Sequence, residues 1–132
     1  MTAVHRAGLV TLAALVWLPA SAHHSVLGFD GSHETVITGR VVQLKWQFPH
    51  VRLAVLVARD AGDETWRVES EAPPVLATLG WQPATVGVGD VVTVRGARAK
   101  DGSPALRCAT VELAAGRKLE CFAAARGTGG GS

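Results

Sequence analysis

Histidine carries the strongest chemical signal in this sequence of 132 residues, because His23 and His24 are adjacent and follow a short apolar leader. If residues 1–22 are removed, His23 becomes the first residue and sets a free amine beside an imidazole. An N-terminal amine has a reference pKa of about 7.7 to 8.0, low enough to lose its proton to a metal. Imidazole is a favoured ligand for copper, nickel and zinc. His23 could then chelate Cu(II) through amine and ring, with His24 or His50 adding a further nitrogen. His33 is a weaker candidate, since it falls in a turn. The eleven residues from His23 to Glu34 span at most about 36 Å, so the arm can fold back toward His50. A plainer account stands beside this one: His-His is often only a hydrophilic start, and a histidine after proline is often bonded to backbone.

Trp46, Trp66 and Glu69 are the candidate contacts for an organic ligand. Tryptophans can line a groove, but filling a barrel core uses the same residues. Glu69 is read as outward on its strand, a surface partner for Arg67 or Arg52. Cys108 and Cys121 invite a disulfide in an oxidising compartment. Regular alternation across the last hairpin puts them on opposite faces, whereas a bulge would bring them together, so both outcomes stay open. There is no C-x-x-C, no zinc spacing, no G-x-S-x-G, no H-E-x-x-H and no Gly-rich phosphate loop before a helix. An enzyme is therefore not expected.

The elements that must position these residues are mostly strands. Residues 1–22 read as an export signal, with Arg6 in the n-region, an apolar run from Ala7 to Leu18 and an Ala20-Ser21-Ala22 cleavage site. A run of twelve residues is too short for a bilayer span of about 20. Residues 23–34 are expected to be an arm with a turn at Asp30-Gly31-Ser32, residues 35–123 one domain, and residues 124–132 a flexible Gly/Ser tail. The long first strand, in the stretch Thr35 to His50 and stopping at Phe48-Pro49-His50, is expected to bend at Gly39, with Val36 inward before it and Val42, Leu44 and Trp46 inward after it. Val51 to Arg59 alternates cleanly, and Thr65 to Ser70 follows across a hairpin. A short helix starts near Pro73-Pro74 under a Ser70 or Glu71 cap and ends at Gly80. Strands then run from Val91 to Gly96, Leu106 to Leu113 and Lys118 to Phe122. Three strands, a helix and two or three further strands predict an all-β, OB-like barrel of five or six strands.

The motifs in order are His23-His24-Ser25, Phe29-Asp30, Thr38-Gly39-x-Val41, Trp46 with Pro49-His50, and Trp66-x-Val68-Glu69. After them come Gly80-Trp81, Gly89-Asp90-x-Val92-x-Val94-x-Gly96, Asp101-Gly102-Ser103 and Gly116-Arg117-Lys118-Leu119. Together they resemble an uncharacterised bacterial exported family, domain of unknown function 6152. The chain departs from it at Phe48, where such proteins usually carry asparagine before Pro-His, and in having Cys108 and Cys121. The resemblance implies export and an OB-like fold and brings no settled activity. The His23 arrangement also resembles the N-terminal histidine of exported copper proteins.

Removing Arg6 with the leader takes the thirteen Lys and Arg to twelve, against eleven Asp and Glu. That balance gives no reason to expect a nucleic-acid partner. The expectation is a periplasmic or otherwise exported, non-catalytic OB-like binding protein, with a small ligand or an exported protein as partner and no membrane span after cleavage. The alternative is a periplasmic copper-type protein using His23 with His24 or His50.

Overall fold

The computed structural model describes residues 28–123. Its elements are β1 (Phe29–Lys45), β2 (Arg52–Val57), β3 (Glu64–Glu69), α1 (Pro73–Thr78), β4 (Val91–Ala99), β5 (Ala105–Leu113) and β6 (Lys118–Glu120). Antiparallel neighbours run β3-β2-β1-β4-β5-β6. β5 then meets β3 in parallel, with Arg67 opposite Ala105, Val68 opposite Leu106 and Glu69 opposite Arg107. That pairing turns the sheet into a ring, and α1 lies in the connection between β3 and β4. The architecture is the all-β, OB-like barrel that the strand pattern predicts. The leader, residues 23–27 of the arm and the 124–132 tail lie outside the described residues.

β1 begins earlier than its apolar pattern suggests. The Asp30 carboxylate accepts from the Ser32 amide at 2.9 Å and from its hydroxyl at 2.6 Å. Residues 31–33 loop out of the ladder, and pairing with β4 passes directly from Asp30–Arg98 to Glu34–Ala97. The turn chemistry is therefore inside the strand, not before it, because an Asx-type turn needs only local partners.

The inward set of β1 also differs from the expected one. Ile37 and Val41 are buried, whereas Val36 is 44% exposed and Val42 42% exposed. The parity changes at Val42 and not at Gly39: Val41 sits opposite Val55, but Gln43 sits opposite Ala54, so Val42 is the extra residue of a bulge. Leu44 then falls opposite Leu53, and Leu44 and Trp46 pack partly buried against the core. Gly39 has a different task. A Cβ there would run into the Leu56 carbonyl, so only glycine lets β2 pass this close where β1 bends.

β2 and β3 follow their alternation, with Leu53, Val55, Val57, Trp66 and Val68 all inward and buried. α1 has Ala72 as its N-cap with no side-chain cap, in place of the expected Ser70 or Glu71. The reason lies in the backbone just before it: Ser70 N–H donates to Val51 and Val51 N–H to Glu71, which draws both residues into the ladder. Pro73 and Pro74 occupy the first turn, where a missing N–H costs nothing. Gly80, at φ +88°, ends the helix, and Trp81 returns to donate its N–H to Leu76.

In β5 the register shifts between Arg95–Thr110 and Gly96–Cys108, leaving Ala109 as the extra residue. This moves the inward parity from Val111 to Cys108 and Leu106. Cys121 shares the inward parity of Leu119, and its N–H donates to the Ala109 carbonyl at 2.8 Å. Cys108 and Cys121 are joined as a disulfide, with Cα atoms 5.6 Å apart and both residues fully buried. Of the two outcomes that spacing leaves open, the bulge decides this one.

Candidate functional site

The site begins where β1 hands over to β2. Phe48-Pro49 ends the connection with Phe48 68% exposed, and His50 comes next, half-buried. Val51, Leu53 and Val55 point into the barrel, so alternation turns Arg52 to the outer face, directly opposite Glu69 on β3. Arg67, two residues before Glu69, lies on the same outer face. These side chains and Phe29 from the start of β1 line a concavity of about 260 Å³. Its position, on the outer face of strands two and three beside the β1–β2 loop, is where OB-type barrels bind ligands.

Glu69 is outward from the barrel yet only 8% exposed, which corrects its expected place on the surface. Its neighbours cover it. Arg52 Nε lies 3.7 Å from Oε2 and His50 Nε2 lies 3.9 Å from Oε1. Both separations exceed hydrogen-bonding distance. Arg52 Nε and Glu69 Oε1 are thus buried and have no hydrogen-bond partner among the described residues. The other ring nitrogen of His50, Nδ1, is 3.1 Å from the Ser70 carbonyl. A carbonyl can only accept, so Nδ1 carries the proton and Nε2 is turned toward Glu69.

Trp66 goes to the core. It is 2% exposed, its Nε1–H donates to Glu64 at 2.7 Å, and the Arg98 guanidinium stacks 5.1 Å from its ring centroid. Trp46 is half-buried against the core and does not line the concavity. The structure therefore brings Glu69 and His50 together and separates both tryptophans from them. His33 sits apart on the looped-out turn, and His23 and His24 lie outside the described residues. Among the described residues no group of three or more His, Cys, Asp or Glu is arranged to hold a metal ion. Phe29, Arg52 and Arg67 are the lining residues that sequence reasoning did not assign to a site. Arg67 shares the parity of Glu69, a signal that was present, but Phe29 reaches the concavity only through barrel closure. No helix among the described residues is long and apolar enough to cross a membrane.

Residues 11–106 match DUF6152, described as a family of unknown function. The chain belongs to that family. The DUF6152 match includes His50, Arg52, Arg67 and Glu69 and stops short of Cys108 and Cys121. Comparison with curated proteins finds no match. Among solved structures, the chain is similar to the mitochondrial single-stranded DNA binding protein Rim1 of S. cerevisiae. The two are 16% identical, with a TM-score of 0.48, over 62% of this chain and 93% of that one.

Proposed function

We propose that this chain is an exported, non-catalytic binding protein that takes a small ligand on the outer face of β2 and β3. The observation that carries the reading is the Glu69 carboxylate, buried beside Arg52 with one oxygen lacking a donor. A buried acceptor without a partner costs about 1 to 3 kcal/mol, and a ligand N–H or O–H would remove that cost. Arg67, exposed on the rim of the same concavity, offers donors to a carboxylate or another acceptor on the ligand. The ligand class is thus a small molecule with a donor and an acceptor a few ångströms apart, such as a zwitterion or an acidic sugar. A nucleic acid fits less well, because Glu69 stands between the arginines and Trp66 is buried, not open for stacking.

The test is a titration of the ¹⁵N-labelled chain with a panel of small amino acids and uronic acids. Amide shifts are expected along β2 and β3 around Arg52, Arg67 and Glu69, and Arg67→Ala should weaken them at least tenfold. Shifts confined to other faces would sink the reading.

A second reading is copper-type binding by a processed N-terminus, with His23 chelating through amine and ring and His24 or His50 completing the set. The orientation of His50 favours it, since Nδ1–H on the Ser70 carbonyl leaves Nε2 as the ligating nitrogen. Adding one glycine before His23 should abolish its Cu(II) affinity.

A further inference from the structure

We propose that His50 Nε2 and Glu69 Oε1 are two ligands of a divalent transition-metal site at the β1–β2 corner, taking Zn²⁺ or Cu²⁺ in preference to Mg²⁺ or Ca²⁺. The proposal deepens the second reading by adding a carboxylate ligand and does not require the free amine.

The argument starts from lone pairs. His50 Nδ1 lies against a carbonyl and must donate, so in the neutral ring Nε2 presents a lone pair. Facing it is Glu69 Oε1, an acceptor in a residue 8% exposed and without any donor among the described residues. Two acceptors held this close favour a positive centre between them. The separation of 3.9 Å is too long for a direct hydrogen bond, which takes about 2.7 to 3.2 Å. Bonds of about 2.0 to 2.2 Å from one metal to nitrogen and to carboxylate oxygen at a tetrahedral angle place the two atoms about 3.4 Å apart, so a movement of about half an ångström brings both onto one ion.

The surroundings suit the same role. The Ser70 carbonyl fixes the ring orientation, as an outer partner of a ligating histidine does. Arg52 lies at the other oxygen, Oε2, 3.7 Å away, and so leaves Oε1 free to ligate. Its charge also selects among cations. With one carboxylate already balanced by a guanidinium, a hard ion that needs several oxygens finds too few here, whereas an ion that accepts imidazole does not.

The experiment uses the purified chain starting at His23, its His50→Gln and Glu69→Gln variants and a form with one glycine added before His23, each titrated with ZnCl₂ alone. Side-chain ¹⁵N spectra of histidine read the ligating atom directly, with exposed His33 as internal control and MgCl₂ as control ion. Thermal melts verify that the variants fold. The expected result is a Zn²⁺-induced shift of His50 Nε2, none with Mg²⁺, and at least a tenfold loss of affinity in both His50→Gln and Glu69→Gln. This holds whether or not the glycine extension also weakens binding. Loss confined to the extended form would overturn the proposal and leave the N-terminal chelate standing. Loss in only one of the two substitutions would overturn the paired assignment. Equal affinity in all four proteins, or a shift at His33 in place of His50, would overturn it as well.

Discussion

At the β5–β6 hairpin two buried donors meet acceptors: Trp81 Nε1–H donates to the Glu120 carbonyl at 2.7 Å and Cys121 N–H to the Ala109 carbonyl at 2.8 Å. The same hairpin closes its covalent link between Cys108 and Cys121. At the β1–β2 corner, by contrast, His50, Arg52 and Glu69 approach one another to 3.7 and 3.9 Å and stop short of hydrogen bonding. One region spends its buried groups on holding the barrel together, and the other keeps them uncommitted. A buried polar group without a partner calls for an explanation, and a bound ligand is the one proposed above.

The largest effect expected from this contrast is at the hairpin. Replacing both cysteines, Cys108→Ala with Cys121→Ala, releases a loop of 13 residues and should cost about 2 to 4 kcal/mol in urea unfolding. Glu69→Gln keeps the shape and removes a charge that makes no hydrogen bond, so the same measurement should move by less than about 1 kcal/mol. A Glu69→Gln penalty as large as that of the cysteine pair would erase the distinction between the two regions.

The smallest effect lies at the looped-out turn of β1. The Ser32 hydroxyl, and then the Ser32 N–H, hold the Asp30 carboxyl below its ordinary value of 3.8. A depressed folded pKa adds stability above the ordinary carboxylate range and loses it as pH falls through the folded value. Asp30→Asn should therefore melt slightly below the parent chain at neutral pH, and the two melting curves should converge in acid. A gap that widened in acid would contradict the assignment of the Asp30 turn.

Alternation and turn residues made the ring legible: clean period-two runs at Leu53, Val55 and Val57, prolines opening α1 and Gly80 closing it. What stayed hidden were the irregularities, because a bulge is a relation between two strands and leaves no mark on either alone. The extra residue at Val42 turned Val36 and Val42 outward and put Ile37 and Val41 inside. The extra residue at Ala109 brought Cys108 onto the face of Cys121. Glu69 was hidden for a related reason. Its outward parity was readable, but its cover comes from His50 and Arg52, residues nearly twenty positions away that meet it only after pairing. Trp66 and Trp46 offered the correct chemistry for a groove, and barrel closure placed both against the core instead.

β6 is the short outer strand of the sheet. Closure of β5 onto β3 leaves few free backbone groups in the ring, and the strand beyond it is three residues long, with Lys118 and Glu120 exposed on either side of buried Leu119. An outer strand this brief, flanked by opposite charges, is a poor template for a neighbour's strand. Among the described residues, the outer strand thus offers a neighbouring chain little backbone to extend into a fibril.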